Sequence, residues 1–306
     1  MESVIVETST FHFSLFTFHC SLFTFMHWQT SRRQISLDRP LVMAILNVTP
    51  DSFSDGGEFM SVDDALRRAE TMIAEGADII DIGGESTRPG STRIDPETEK
   101  RRTMPVIDAV ANRFDIPLSI DTSKSKVARA ALDAGAEIIN DISGLRWDKQ
   151  IADVAAATGA GLVLMHSRGS FDEMHSLPPV DDILADVTAD FRRSIHIAGD
   201  CGVANEQMVL DVGIGFGKTQ AQNLELLGKL DTIVSEFEHY PMLVAASRKS
   251  FIGKILNDSS VDERLGGSLA CAAIAIFNGA KMIRVHDVKE TVDVVKIAAQ
   301  IGRQRT

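Results

Sequence analysis

The sequence predicts a single-domain α/β protein, a (β/α)8 TIM barrel over residues 41–300. Eight short apolar runs occur in order along the chain, and each stops abruptly at a polar loop that precedes a helix-like stretch. Runs of this length suit buried parallel strands, and eight strand–helix units match the size and order of such a barrel. The runs are residues 41–46, 78–81, 117–121, 137–141, 161–166, 208–211, 242–247 and 281–286.

The first strand–helix unit carries clear local signals. Its strand ends at a polar loop, residues 47–57, which finishes in two glycines. Ser61 can cap the next helix, in which Leu66 and Ala69 share one face, and Gly76 suits the left-handed turn that ends it. A doubly wound sheet would usually have fewer strands and a nucleotide-binding fingerprint after the first strand, so the barrel is favoured.

Composition limits the possible partners. A chain of 306 residues with 44% hydrophobic residues can bury one large core without a second domain. Its 31 basic residues against 43 acidic ones argue against a nucleic-acid surface, which needs clustered positive charge. Small anionic ligands remain compatible, because basic side chains collect at the predicted barrel mouth. These are Arg88, Arg248, Lys249, Arg284 and His286.

The cysteines and the apolar segments indicate a cytoplasmic protein. Cys20, Cys201 and Cys271 show no CxxC spacing and no even framework, so we expect reduced thiols. The apolar positions near the N-terminus are interrupted too often for a membrane span, and we expect no membrane partner.

Residues 1–40 fit the barrel pattern poorly, and we expect them to form an N-terminal extension. Residues 11–18 are nearly repeated by residues 18–25, and their alternating Phe and Thr makes the segment prone to β aggregation. The segment has no basic n-region, so a targeting peptide is not indicated. We expect residues 1–25 to be disordered and dispensable, with Met26 as an alternative start.

Functional side chains of a barrel lie at the carboxyl ends of its strands. The sequence places many polar side chains there, including carboxylates, amides and cations that can bind anions or metals. They are Asn47, Asp81, Glu85, Asp121, Asn140, Asp141, His166, Asp211, Ser247, Arg248, Lys249, Arg284 and His286.

Several motifs at these strand ends follow one another in a specific order. The most distinctive is Asp81-Ile82-Gly83-Gly84-Glu85-Ser86-Thr87-Arg88-Pro89-Gly90. The others are residues 45–57, 119–122, 139–141, 211–219, 247–250 and 284–287. Over residues 41–300 the chain resembles the dihydropteroate synthase family of folate biosynthesis. The resemblance implies a transferase that condenses 6-hydroxymethyl-7,8-dihydropterin diphosphate with 4-aminobenzoate and releases pyrophosphate.

One departure from the family pattern follows the fifth strand. The segment keeps the Met165-His166 pair and Gly169 that are usual in the family, but it has Phe171 and His175 where Pro and Gln are usual. We expect this difference to concern the shape of the loop more than the chemistry.

The resemblance implies that three residues bind the pterin edge. Asp211 would accept two hydrogen bonds from the 2-amino and N3-H groups, a bidentate arrangement, and Asp121 and Asn140 would bind the remaining edge. Lys249 would hydrogen-bond the ring and pack over it. From the residues alone, a strand-end Asp can equally cap a helix and an Asn can satisfy loop backbone groups.

The diphosphate end is expected to lie near the last strand. Arg284 and His286 alternate along that strand, so both point to one side of the sheet, and we interpret them, with Lys249, as the catalytic residues. The resemblance places Thr87 on the pterin diphosphate. It also implies that Asn47 ligates Mg²⁺, a cation that commonly binds through few protein ligands plus substrate phosphates.

The 4-aminobenzoate pocket is expected between two loops, residues 49–57 and 86–93, that close over the site and exclude water. The amine is neutral at pH 7, so no strong base is needed, and we expect pyrophosphate to leave before the amine attacks. A helix N-terminus behind Ser250 suits the carboxylate. The pocket residues are Phe53, Arg88, Pro89, Phe216 and Ser250.

Two alternatives stay open, and one motif is rejected. A methyltetrahydrofolate:corrinoid methyltransferase would share the pterin carboxylates without the diphosphate residues, and a catalytically silent paralogue would keep only binding.

Residues 213–219 look like a P-loop, but Val212 occupies the position of its first glycine, so we interpret Lys218 as a charge at a helix start. The resemblance also suggests a homodimer through the last helices.

Overall fold

The computed structural model describes residues 26–49, 61–88 and 90–305. Eight parallel strands in this part of the chain form a closed barrel, which confirms the predicted fold. They are β3 (Leu41–Asn47), β4 (Ile79–Gly83), β5 (Leu118–Asp121), β6 (Ile138–Asp141), β7 (Gly161–Met165), β8 (Met208–Asp211), β9 (Met242–Val244) and β10 (Met282–Val285). Neighbours pair in sequence order, and β10 closes the ring on β3.

Helices cover the outside of the barrel. The first begins as predicted, with the Ser61 side chain accepting from the backbone N–H of Asp64. Gly76 follows that helix at a φ of 99°, a left-handed conformation that suits glycine. The helices are α1 (Val62–Ala74), α2 (Pro96–Arg113), α3 (Ser125–Ala134), α4 (Gln150–Thr158), α5 (Ile183–Asp200), α6 (Gln220–Gly228), α7 (Leu230–Glu236), α8 (Ser250–Ile255), α9 (Leu265–Phe277) and α10 (Val288–Gly302).

Strand side chains alternate between the barrel interior and the helical layer. This alternation lets each strand serve two cores at once. Ile80 and Leu162 belong to the large apolar cluster that includes the helices. The interior is a separate cluster, which includes Met43, Ile79, Ile138, Val163, Val209, Leu243 and Met282.

Residues 26–40 pack on the barrel, in contrast to the predicted extension. An antiparallel hairpin joins β1 (His27–Gln29) to β2 (Gln34–Ser36). Trp28 is fully buried within the interior cluster, and its Nε1 donates to the carbonyl of Gln207 across 2.8 Å. The hairpin therefore closes the end of the barrel at which the strands begin. Residues 1–25, with the Phe/Thr near-repeat, lie outside the described residues.

Cys201 and Cys271 are free thiols, and Cys20 lies outside the described residues. Among the described helices, none is both long enough and apolar enough to cross a bilayer.

Candidate functional site

A cavity of about 370 Å³ opens at the carboxyl ends of the strands. The loops after β3, β4, β9 and β10 contribute to its walls, as the barrel topology predicts. It brings together many of the residues that the sequence indicated. These are Asn47, Thr87, Arg88, Asp121, Phe216, Lys249, Ser250, Arg284 and His286.

Two predicted site residues in the described part of the chain, Asn140 and Asp211, are not among those lining the cavity. Asn140 and Asp211 are almost fully buried at the ends of β6 and β8, at 3% and 2% exposure. Asp211 accepts a hydrogen bond from the backbone N–H of Gly213 across 2.8 Å. Phe53 and Pro89 lie outside the described residues, so their roles stay predictions.

Arg284 is held by two carboxylates. Its Nε donates to Oδ2 of Asp81 and its Nη2 donates to Oδ2 of Asp121, both across 2.6 Å. The same Asp81 oxygen accepts from Nδ2 of Asn140 across 3.0 Å. Asp81 is fully buried, and its other oxygen has no hydrogen-bond partner among the described residues. The sequence placed Asp81 at the barrel mouth, but only barrel closure brings it to Arg284.

Burial shifts the pKa values of Asp211, Asp121 and Lys249 toward neutral pH. It raises the pKa of Asp211 to about 6, although the Gly213 hydrogen bond and the Lys249 cation favour the charged form. It also raises the pKa of Asp121, against the opposing effect of Arg284. Burial, together with the positive charge of Arg284, lowers the pKa of Lys249 to about 8. These groups can therefore respond to ligand charge near neutral pH.

Lys249 contacts the aromatic wall of the cavity. Its Nζ lies 4.1 Å from the ring centroid of Phe216, a cation–π contact. Gly215 permits this approach, because a Cβ at that position would lie 3.0 Å from Cδ of Lys249. Gly215 also has a φ of 84°, which an L side chain rarely adopts.

Lys218 is not a helix-start charge, so that prediction is wrong. Its Nζ turns inward and donates to the carbonyls of Gly213, Phe216 and His166, across 2.8, 3.1 and 3.4 Å. The cap of α6 is instead Thr219, whose side chain accepts from a backbone N–H. Burial lowers the pKa of Lys218 to about 7. Lys218 therefore fixes the turn that carries Phe216.

His286 is a neutral donor rather than a cation. Burial lowers its pKa to about 3, and the charge of Arg284 acts in the same direction. Its Nδ1 lies 3.1 Å from Oγ of Ser247, which also accepts from the His286 backbone N–H. One assignment that fits both contacts has the Ser247 hydroxyl donating to Nδ1, which leaves the proton on Nε2.

Arg248 links the loops after β9 and β10. Its Nε and Nη2 donate to the two oxygens of Asp287, across 3.0 and 2.5 Å. Its backbone has a φ of 58°, which is uncommon for a residue with a side chain. Ser268 accepts from its N–H, and Arg264 donates to its carbonyl. The sequence placed Arg248 only among the basic residues of the barrel mouth, whereas the structure makes it the anchor of the segment that presents Lys249.

A buried ion triad supports the loop after β4. Nζ of Lys124 lies 2.8 Å from Glu85 and 2.5 Å from Glu99. Glu85 also accepts from the backbone N–H of Ile94 across 2.7 Å. Burial raises the pKa of Glu99, while Lys124 opposes that shift. The triad fixes both ends of the loop that carries Thr87.

The metal prediction rests on a single protein ligand. Asn47 lines the cavity at the end of β3 and is half-buried. Among the described residues, no group of three or more His, Cys, Asp or Glu side chains is placed to hold a metal ion. An amide oxygen in a cavity that also contains Arg284 and Lys249 suits Mg²⁺ that takes most of its ligands from a bound anion and water.

Comparison with known proteins agrees with this geometry. Residues 43–286 match the model of a family described as pterin binding enzymes. Dihydropteroate synthase from Escherichia coli strain K12 is 48% identical over 265 residues, which cover 86% of this chain and 92% of the relative. The corresponding Synechocystis protein is 46% identical, covering 87% of this chain and 91% of the relative.

Solved structures give the same result. The Yersinia pestis dihydropteroate synthase in a sulfonamide drug complex has a TM-score of 0.85 and 44% identity, covering 91% of this chain and 100% of its own. The Xanthomonas albilineans dihydropteroate synthase with 4-aminobenzoic acid has a TM-score of 0.84 and 40% identity, covering 91% of this chain and 98% of its own. The chain therefore belongs to the pterin-binding enzyme family and, within it, to the dihydropteroate synthases.

Proposed function

We propose that this protein joins the methylene carbon of 6-hydroxymethyl-7,8-dihydropterin diphosphate to the amine nitrogen of 4-aminobenzoate and releases pyrophosphate. The observation that carries this function is the cavity in which Arg284, between Asp81 and Asp121, lies with Lys249 and His286. Carboxylates that can accept hydrogen bonds from a heterocycle thus lie next to Arg284 and His286, which can donate hydrogen bonds to a diphosphate.

The pterin is assigned to the buried strand ends. Asp211 and Asp121 are acceptors when ionised, and the amide of Asn140 both donates and accepts. These groups can pair with the amino and N3-H edge of the ring, which presents donors side by side. The negative charges of Asp211 and Asp121 oppose the lowering of the pKa of Lys249, so the ammonium lies near both carboxylates, which supports a place over the ring.

The diphosphate is assigned to Arg284, His286 and Thr87. A guanidinium has five N–H donors, and the contacts of Arg284 with Asp81 and Asp121 use two of them. The remaining donors can bind phosphate oxygens without moving the side chain. His286, neutral with its proton on Nε2, contributes a further donor. Preorganised donors of this kind stabilise the charge that develops on a leaving group.

Bond breaking precedes bond making in this proposal. The C–O bond to the diphosphate breaks, both electrons leave with pyrophosphate, and the pterin methylene carries positive charge that the ring delocalises. The lone pair of the aniline nitrogen then forms the C–N bond, and one amine proton is lost. No protein nucleophile is needed, and exclusion of water protects the cation.

The metal is assigned to Asn47. Bound Mg²⁺ would neutralise diphosphate charge and so assist its departure. Asn47→Ala should raise the Mg²⁺ concentration needed for half-maximal turnover without unfolding the protein, because the side chain lies in the cavity. A variant whose Mg²⁺ titration matches that of the wild type would remove Asn47 from this role.

The 4-aminobenzoate is assigned to the outer part of the cavity. Phe216 offers an apolar wall at 7% exposure, while Ser250 and Arg88 offer polar groups for the carboxylate. Phe53 and Pro89 complete this pocket as sequence predictions.

We also propose a homodimer through the last two helices. An apolar groove of about 480 Å³ on α9 and α10 is lined by exposed large side chains. Exposed apolar surface of this kind on two adjacent helices favours association. Ile297 and Ile301 are 64% and 54% exposed. Light scattering of the protein and of an Ile297→Asp variant tests this assignment, which fails if the wild type is a monomer.

A pyrophosphate-release assay tests the reaction. Release should require pterin diphosphate and increase strongly when 4-aminobenzoate is added. The alternative methyltransferase would release none and would instead consume methyltetrahydrofolate. A silent paralogue would bind pterin without turnover in either assay. The Arg284–Asp81 and His286–Ser247 contacts favour the synthase over both alternatives, because only the synthase handles a diphosphate.

A further inference from the structure

We infer that His175 is a specificity-determining residue for the aromatic amine substrate. It lies between β7 and α5, lines the outer cavity and contacts two other loops. The inference rests on the proposed function, because it takes the 4-aminobenzoate pocket to lie beside Phe216.

One side chain joins three loops. Nε2 of His175 lies 3.0 Å from the carbonyl oxygen of Thr87, in the loop after β4. A carbonyl only accepts, so Nε2 must carry the proton and donate. The imidazole also stacks on Phe216 in the loop after β8, with ring centroids 6.2 Å apart and planes 26° apart. His175 thus connects the loop of a diphosphate residue to the wall of the aromatic pocket.

The segment that carries His175 is firmly anchored. Phe171 is buried at 5% exposure and meets Trp147 edge-on, with centroids 5.6 Å apart. Trp147 donates from Nε1 to the carbonyl of Gly169 across 2.8 Å. Met174, next to His175, is 1% exposed. Phe171 and His175, the two departures from the family pattern, therefore act together. Phe171 fixes the segment, and His175 projects to the outer part of the cavity.

The segment also abuts the Phe216 loop. A Cβ on Gly217 would lie 2.3 Å from the carbonyl oxygen of Met174, so the two loops touch through their backbones. Phe216 meets the ammonium of Lys249 as well as the imidazole of His175. The position of the Phe216 ring therefore depends on His175. That position sets the width of the proposed pocket for the aromatic ring of 4-aminobenzoate.

The role can be separated from folding. His175 itself is exposed, so truncating it removes little buried surface. His196 is a matched control, because it is an exposed histidine on α5 with its side chain 76% exposed. Removing both the hydrogen bond and the ring contact should raise KM for 4-aminobenzoate about tenfold, the combined scale of one such bond and one aromatic pair.

Three variants separate the two contacts. His175→Ala should raise KM for 4-aminobenzoate while KM for pterin diphosphate and kcat stay within about twofold of wild type. His175→Gln keeps a donor, His175→Phe keeps a ring, and each should recover part of the loss. His196→Gln should match wild type. The inference is overturned if His175→Ala has a wild-type KM for 4-aminobenzoate, or if both KM values rise equally.

Phe216→Ala distinguishes failure of this inference from failure of the proposed pocket. If Phe216→Ala raises KM for 4-aminobenzoate and His175→Ala does not, only the role of His175 is rejected. If neither variant changes that KM, the pocket is misassigned and the inference falls with it. If wild-type protein releases no pyrophosphate, the proposed function itself fails.

Discussion

The Nε atom of Arg284 donates to Asp81 across 2.6 Å and so joins β10 to β4 over the intervening strand β3. This contact fixes the guanidinium while leaving other donors for the diphosphate. Arg284→Ala should lower turnover roughly a hundredfold or more, the usual scale for losing one preorganised stabiliser of developing charge.

Asp81→Asn tests whether Asp81 positions the guanidinium of Arg284. The amide can present its own donors to Arg284 and Asn140, so turnover should fall while KM for 4-aminobenzoate stays near wild type. Combined with Arg284→Ala, it should add little further loss, because both changes act on one interaction. Asp133→Asn, at an exposed position on α3, is the control. Additive losses in the double variant would contradict this coupling.

Pterin affinity should depend on pH through Asp211. Burial raises the pKa of this carboxyl to about 6, and only the ionised form offers two acceptors. Affinity should therefore be lost as the pH falls through that value, after a smaller loss at higher pH from Asp121, whose pKa burial raises to about 7. Calorimetry with a pterin analogue between about pH 5 and pH 8 measures this.

Asp211→Asn provides the comparison for that titration. The variant should bind about 1.5 to 3 kcal/mol more weakly at high pH, the scale of a charge-assisted hydrogen bond. It should also show a flatter pH profile, since the raised pKa of Asp121 then remains alone. Wild-type affinity in the variant would make Asp211 a structural residue.

The left-handed backbone of Arg248 predicts an unusual order of stabilities. Arg248→Gly and Arg248→Ala both lose the ion pair with Asp287. Only the alanine variant is strained by the φ of 58°, because glycine adopts a positive φ without steric cost. The glycine variant should be more stable by about 1 kcal/mol, measured by chemical unfolding. Both should lower turnover, because Lys249 follows directly. Equal stability of the two variants would show that the backbone relaxes once the ion pair is gone.

Lys218→Met should destabilise the protein by about 1 to 3 kcal/mol, because buried carbonyls lose their donor. The loop that carries Phe216 should also lose its fixed shape, so KM for 4-aminobenzoate should rise. Lys229→Met is the control, since that lysine is 60% exposed and pairs with Glu225. The assignment is contradicted if both variants melt at the wild-type temperature.

Two changes near the N-terminus should have opposite results. Trp28→Ala should cost about 3 to 5 kcal/mol, because it empties a fully buried site in the barrel interior. Deletion of residues 1–25 should leave activity and melting temperature nearly unchanged. A large loss of stability on deletion would show that this segment also packs on the barrel.

The barrel could be predicted because its signals are local. Each apolar run, its polar end and the cap of the next helix lie within a few residues, as Ser61 shows. The strand ends then place the polar residues at one mouth by topology alone. The contact of Arg284 with Asp81 joins residues 203 apart in sequence, so no local pattern indicates it.

The missed features have the same physical origin. The strands of the hairpin are only three residues each, and Trp28 belongs to a buried cluster with residues from seven barrel strands, which periodicity does not detect. Lys218 follows a glycine-rich turn whose carbonyls converge only when that turn has folded. His175 gave one signal, its departure from the family pattern, without indicating its two contacts.

The hairpin built around Trp28 has a consequence for access to the site. Since it closes one end of the barrel, every molecule reaches the site through the opposite opening and leaves the same way. Under the proposed assignment the pterin lies deeper than 4-aminobenzoate, so both substrates and both products would pass the same mouth of the barrel.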